Sequence, residues 1–428
     1  MDDGIVGNPL TRLEDHDLLR GAGQYVDDIR LAGTLHAAFV RSPHAHAAIT
    51  GMDLDEARAV DGVVGVYGLA DLMSHMTTDR VPPNFPGPGE YTPVGPYVLA
   101  GDEVCHVGEV VAVAIAETRY LAEDACALIG VDYDTLPVVA DSRAGLEGGA
   151  PLVDRREASN LVHEVTLGCG DIEAAFADAA HVVSDTLFQH RGCCTAMECR
   201  GIVARFDPLE GKLTAWRSGQ APHSDRSIIV RLLGLEENAV RVIAPDIGGG
   251  FGPKLIFYPE EATVCVVSAM LGRPVKWIED RREHFIATTQ ERDQAWEVEM
   301  AVDDQGVMRG LRGRMTHDQG AYTARGINIP FNSATTILGP YVVPNYEMVV
   351  RVANTNKVPV TSLRGAGHPQ GAFTMERLLD RVAKKLGLDR TEVRRRNMIP
   401  PDAMPYEHGV RTQAGQPIIY DSGNYKKC

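Results

Sequence analysis

No stretch of this chain approaches the roughly 20 consecutive apolar residues that a membrane-crossing helix needs, so no span is expected. Met1-Asp-Asp-Gly-Ile carries neither a basic region nor a long apolar one, and no secretory leader is expected either. Positive charge is scarce. Lys and Arg number 42 against 58 Asp and Glu, a formal net charge of −16, and a nucleic-acid binder would instead present a basic face. Cysteine is sparse as well: eight in 428 residues, none in Cys-x-x-Cys or ferredoxin-type spacing. That excludes a disulfide scaffold and an iron–sulfur centre held by this chain. Buried free thiols in a reducing, cytoplasmic compartment are the expectation.

What is present is an ordinary globular balance, 44% hydrophobic and 23% charged. The length suits two or more domains at ~100–200 residues each. Residues 8–30 read as an irregular segment. Thr34 to Arg41 is a strand candidate stopped by Pro43; His44 and His46 follow it in a polar turn, too few for a zinc site. Asp53-Leu-Asp-Glu56 has the form of a capping box opening a helix to about Val60. Gly62 to Tyr67 is a strand, and residues 81–95, rich in Pro and Gly, form a long loop. Glu109 to Ala116 is apolar nearly throughout, as a strand covered on both faces must be. A helix follows from Glu117 to Ile129 with Leu121, Ala125 and Leu128 on its inner side, then a strand from Val131 to Asp134. This order predicts an α+β domain over residues 1–141, with 142–159 as linker.

Beyond it, Ala180 to Phe188 alternates as a strand, and residues 201–206 and 212–216 form a hairpin. Residues 224–233 are helical, as are 259–271, with Pro259 at the first position and Gly272 at the end. Strands are expected at 274–278 and over 297–315, and an amphipathic helix over 373–386 carries Leu378, Leu379, Val382 and Leu386. Asp389 caps a last basic helix.

The densest glycine cluster lies between a strand-like and a helix-like run: Asp246-Ile-Gly-Gly-Gly-Phe-Gly-Pro-Lys254. Glycines so placed let another group approach the main chain. The P-loop pattern fails, because Lys254 follows Pro253 and precedes Leu255, where a hydroxyl is needed. The dinucleotide fingerprint fails for want of its third glycine. Two further loops mix small residues with one long polar side chain: Ser218-Gly-Gln220-Ala-Pro-His223 and Leu363-Arg364-Gly-Ala-Gly-His-Pro-Gln370.

Taken together these segments resemble the molybdenum-binding large subunit of the xanthine dehydrogenase/aldehyde oxidase family, the molybdenum hydroxylases. The resemblance runs in order through Pro9-Leu-Thr-Arg-Leu-Glu-Asp, Gly23-Gln-Tyr-Val-Asp-Asp, Ala38-Phe-Val-Arg-Ser-Pro-His-Ala-His46, Val107-Gly-Glu-Val-Val-Ala-Val, Met197-Glu-Cys-Arg-Gly201, Gln220-Ala-Pro-His, the glycine cluster and Arg364-Gly-Ala-Gly. It implies a hammerhead-like α/β domain at 1–141 and a first molybdopterin-binding α+β domain at 160–428. It implies molybdenum held by a molybdopterin, of the cytosine dinucleotide form, without direct protein ligands. Gln220 then matches the glutamine that hydrogen-bonds an oxygen on the metal. Gly249, Gly250, Phe251 and Gly252 match the loop packed against the metal and pterin, and Arg364 the third lining segment. Such groups orient and tune a metal they do not bind. The implied activity is hydroxylation of an electron-poor carbon with water-derived oxygen. Electrons would leave through 2Fe-2S and FAD centres on partner subunits, in a dimer of heterotrimers.

Three departures narrow the substrate. Leu255 stands where purine-oxidising members place a ring-binding glutamate, and Ala366 where they place a stacking phenylalanine; no cysteine follows Arg364 to bridge copper. An aldehyde or an N-heteroaromatic ring is expected as substrate. The family's second cofactor-binding domain, with its general-base glutamate, lies beyond Cys428. The chain is therefore expected to be a truncated piece, or else one part of a split subunit, ending inside a helix opened by Asp421, with no catalytic residue of its own and inactive alone. A non-catalytic cofactor-binding or scaffold fragment is the alternative.

Overall fold

Seven residues without a polar side chain, Val110–Ala116, can lie only where both faces are covered, and all seven are buried. A computed structural model, describing residues 5–83, 94–325 and 327–428, places this strand in a seven-stranded sheet. The order across the sheet is Val240–Ile243, Lys212–Arg217, Gly201–Asp207, Val275–Ile278, Leu35–Arg41, Val110–Ala116 and Val63–Tyr67. Side chains alternate between faces along a strand. Val113 and Ile115 accordingly join the large core with Phe39, Trp277 and the helix Pro259–Leu271, while Ala112 and Ala114 meet Ala125 of the helix Arg119–Ala127. The sheet is joined across its middle by parallel pairing of Leu35 with Val275 and His36 with Lys276. Strands from both sides of residues 142–159 thus share one sheet.

A second sheet runs Leu161–Cys169, Tyr346–Asn354, Met308–Gly320, Gln294–Val302, His181–Gln189. Its one parallel pair, Met308–Gly320 with Tyr346–Asn354, is linked through the helix Asn328–Thr336. That helix and His368–Leu386 bury their apolar sides on this sheet through Ala334, Ile337, Met375, Leu378, Leu379 and Val382. Gly272 ends the helix Pro259–Leu271 in the left-handed conformation, φ 61°.

Several expectations shift. His46 lies in the bend expected after Arg41, but it is buried there, immediately before the strand Ala47–Asp53, which pairs with Glu103–Val104 and Gly130–Thr135. Asp53 does not cap; its carboxylate accepts from Asp55 N, and the helix is only Asp55–Arg58. The helix Arg119–Ala127 buries Ala122 and Ala125, leaving Leu128 exposed, because the short side chains permit close approach to the sheet. The helix expected at 373 begins at His368. The strands Leu161–Cys169 and Tyr346–Asn354 and the helix Asn328–Thr336 were not foreseen. Near the end, Lys427 N closes a turn on Asn424 O where a helix was expected. The loop expected at 81–95 falls largely on residues 84–93, outside the described ones. Residues 142–159 are held rather than loose: Asn160 Nδ2 donates to Gly145 O and Pro151 O, and Val153 and Asp154 are buried.

Candidate functional site

Each of the three polar loops abuts the start of a helix. Gln220 follows the strand Lys212–Arg217 and precedes the helix Pro222–Leu233. The glycine cluster lies between the strand Val240–Ile243 and the helix Pro259–Leu271, and Arg364 lies just before the helix His368–Leu386. The fold brings all three together. Gln220 N donates to Lys254 O at 3.0 Å, and Gly252 N donates to Gln220 Oε1 at 2.9 Å. Arg364 N donates to Phe251 O at 2.9 Å.

The glycines answer to specific close approaches. A Cβ on Gly250 would stand 2.5 Å from Gln220 Cδ and Oε1, and one on Gly252 1.9 Å from Ser362 O. Gly249 turns with φ 102° beneath the Phe251 ring, which leaves no room for a Cβ. Phe251 itself has φ 52° and Ala366 φ 47°, conformations that non-glycine residues seldom adopt. Both sit at the tips of the converging loops, where such strain gathers at functional sites. Ala366 is held by Asn332 Nδ2, which donates to its carbonyl at 3.0 Å. Leu255 closes the glycine turn, its N–H donating to Gly252 O, and is half-buried.

The polar termini point to a ligand. Gly252 N can only donate, so the oxygen of the Gln220 amide must face it and the amide NH2 is left as an outward donor. Gln220 and Arg364 are exposed, Phe251 is 47% exposed, and among the described residues no carboxylate pairs with the Arg364 guanidinium. The converging loops therefore offer an amide donor, a permanent cation, an aromatic ring and a stretch of backbone without side chains. That donor set suits a bulky, oxygen-rich, anionic group, and a metal–pterin dinucleotide fits it.

Behind the loop lies a layer that the sequence did not single out. Glu198 Oε2 accepts from Gly248 N at 2.8 Å, Ser218 Oγ at 2.6 Å and Lys254 Nζ at 3.0 Å. Lys254 is only 2% exposed, and burial pulls its ammonium below the usual pKa while Glu198 pulls the other way. Arg217, buried with Asp225 and Glu261, donates to Lys254 O at 3.2 Å. From the far side, Asp246 accepts from Gln24 N at 2.8 Å and docks the N-terminal segment on the loop. Glu198 and Lys254 lie within motif segments, but no spacing shows that residues 56 positions apart meet.

Among the described residues, two other clusters could geometrically share an ion, Cys199–Glu279–His284 and Glu103–Cys105–Asp154. Both are already satisfied by protein cations. Glu279 accepts from Arg200, Thr288 and His284, Glu103 from His46 and Arg155, and Asp154 from Arg156.

A profile of the molybdopterin cofactor-binding domain matches residues 153–398, more than half of the chain. The chain belongs to the molybdenum-binding large subunits of the xanthine dehydrogenase/aldehyde oxidase family. A profile of the aldehyde oxidase and xanthine dehydrogenase a/b hammerhead domain matches residues 20–137. The large subunit of nicotine 6-hydroxylase from Paenarthrobacter nicotinovorans is 36% identical over 95% of this chain and 50% of its own length. The carbon monoxide dehydrogenase large chain of Hydrogenophaga pseudoflava is 36% identical over 96% and 52%. Among solved structures, quinoline 2-oxidoreductase from Pseudomonas putida 86 superposes with a TM-score of 0.90 at 35% identity, over 98% of this chain and 53% of that one. The chain spans about half the length of these relatives. The hammerhead-plus-cofactor-domain architecture expected from the sequence is the one this family has.

Proposed function

We propose that this chain builds one wall of the molybdenum site in an oxidoreductase that hydroxylates an aldehyde or N-heteroaromatic carbon with water-derived oxygen. The observation that carries the reading is the hydrogen-bonded convergence of the loops that carry Gln220, the Gly249–Gly250–Phe251–Gly252 turn and Arg364, with Gln220, Phe251 and Arg364 exposed. On this reading Gln220 would help hold the metal group through its amide NH2, the donor that Gly252 leaves free. The glycine turn and Phe251 pack on the cofactor, and Arg364 balances its charge. A molybdenum–molybdopterin group, in its cytosine dinucleotide form, would supply the redox chemistry when bound. The side chains here would orient it without ligating the metal.

We assign no general base to this chain. The two carboxylates at the glycine loop, one within it and one behind it, are engaged, Asp246 with Gln24 N and Glu198 with Lys254 and Ser218. Leu255 and Ala366 are proposed to line the substrate pocket, where neither apolar side chain offers the hydrogen-bonding group or stacking ring that a purine would need. Two of the relatives are named for nicotine and quinoline, N-heteroaromatic compounds, which supports that class. Partner subunits carrying 2Fe-2S and FAD would receive the electrons, because no cysteine spacing here can hold a cluster. A dimer of such heterotrimers and a cytoplasmic location complete the proposal; eight free thiols fit a reducing compartment. Residues 1–141 and 160–428 are proposed as its two domains.

The test is elemental analysis of the complex purified through this chain. About one molybdenum per chain is expected, falling with Gln220→Ala and Arg364→Ala. Stoichiometric zinc without molybdenum would end the proposal. A scaffold role is separated by assay: loaded complexes that oxidise neither N-heteroaromatics nor aldehydes favour it.

A further inference from the structure

The hydrogen bonds behind the glycine turn form a closed path that the proposed function does not use. Lys254 Nζ donates to Ser218 Oγ at 2.6 Å and to Glu198 Oε2 at 3.0 Å, and Ser218 Oγ donates to the same carboxylate oxygen at 2.6 Å. The proton order is unambiguous, because an ammonium only donates and a carboxylate only accepts. Glu198 grips Gly248 twice: its carboxylate accepts from Gly248 N, and its own N–H donates to Gly248 O at 3.1 Å. At the other end of the loop, Lys254 O accepts from Gln220 N. Between these ends Gly252 N holds the Gln220 amide oxygen.

We propose that Glu198, Ser218 and Lys254 are positioning residues, a clamp that fixes both ends of the glycine turn and thereby aims the Gln220 amide at the bound cofactor. The inference rests on the molybdenum reading above. None of the three side chains is on the exposed cofactor face; Ser218 and Lys254 are buried. They act through Gly248, Gly252 and Gln220. A purely apolar packing would hold the loop's shape, but it would not couple the position of Gly248 to that of Gln220. The clamp does so because one carboxylate serves three donors. Removing the ammonium leaves Glu198 half-buried without its counter-charge, the costly half of a broken pair. The carboxylate then turns toward water and releases Gly248.

The test uses the assembled, cofactor-loaded complex. Lys254→Met, Ser218→Ala and Gln220→Ala are compared by molybdenum retained through gel filtration and by the electron paramagnetic resonance of the reduced metal. The clamp predicts about tenfold weaker retention, the usual scale for such supporting groups, in Lys254→Met. It also predicts that Lys254→Met and Ser218→Ala shift the resonance in the same direction as Gln220→Ala. The double variant Lys254→Met with Gln220→Ala should show no shift beyond Gln220→Ala alone. A lowered melting temperature with unchanged resonance and retention overturns the clamp, as do additive shifts. If Lys254→Met does not fold, Ser218→Ala decides by the same two readouts. A wild-type complex without molybdenum overturns the underlying reading instead, so the two failures are told apart.

Discussion

At the scale of single residues, backbone crowding and buried charge set the strongest constraints. Gly252 has φ 127° and would place a Cβ 1.9 Å from Ser362 O, whereas Gly211 has φ 65° with nothing within 4 Å. Gly211→Ala should cost about 1 kcal/mol, the left-handed penalty alone. Gly252→Ala should cost more than about 3 kcal/mol, because strain and overlap with main chain add; denaturant midpoints compare them. A second prediction concerns His46, whose Nε2 meets Glu103 Oε1 at 2.7 Å in a buried pair. Burial works to lower the His46 pKa, but the bonds to Glu103 and Pro137 O overcome it and raise it. Burial works to raise the Glu103 pKa, and the bonds from His46 and Arg155 bring it down to about 2. The raised histidine stabilises the fold below its unfolded value of 6.5, and that share is lost as pH rises through the folded pKa. The depressed carboxyl stabilises above its unfolded value of 4.5, and its share is lost as pH falls toward 2. Glu103→Gln should therefore lower the His46 pKa seen by histidine NMR and flatten the fall in melting temperature above pH 6.5. The residues of the exposed face were legible as motifs. The pair His46–Glu103 and the clamp were not, because sequence shows a charge without its partner.

At the scale of elements, the legible parts were those whose pattern is local. The buried run at 110–116, the Pro259 start and Gly272 stop, and the Leu378–Leu379–Val382 stripe all follow from neighbours in sequence. The strand Ala47–Asp53 was hidden because Ala-Ala-Ile-Thr-Gly-Met-Asp shows no clear alternation of apolar and polar residues and its partners lie at 103–104 and 130–135. The helix Asn328–Thr336 was hidden because it carries Pro330 within its first turn and several hydroxyl residues that bond back to their own helix. The helix His368–Leu386 begins four residues after Arg364, so its seating on the second sheet sets where that loop ends. Leu378→Ala, at a fully buried position, should cost about 2–5 kcal/mol in chemical unfolding. It should spare Gln220–Gly252 contacts, which belong to the other sheet's loops.

At the scale of the whole molecule, the two family regions are not independent bodies. Leu35 and His36 pair with Val275 and Lys276 inside one sheet, and Arg41 reaches across to Glu260 and Glu283 at 2.7 and 2.9 Å. Asn356 adds a third tie: its amide donates to Cys105 O and Val153 O and accepts from Val139 N. Asn356→Ala, which strips partners from three buried main-chain groups, should cost about 3 kcal/mol. Because the sheet is shared, calorimetry should show one transition for both regions. Residues 1–141 expressed alone should not fold, since they would bare the edge of Leu35–Arg41 that Val275–Ile278 covers. Two separate transitions would contradict this. The sequence marked a boundary near 142 by composition, but composition says nothing of hydrogen bonds that cross it.

The kind of atom facing each glycine decides which genetic lesions can be repaired. At Gly250 the obstacle to a new Cβ is the Gln220 side chain, so a smaller residue at 220 could restore space, at the expense of the amide that Gly252 N holds. At Gly252 the obstacle is the carbonyl of Ser362, which every residue type possesses. A suppressor screen begun from a Gly250 substitution should return second-site changes at 220. Begun from Gly252, it should return only the restored glycine.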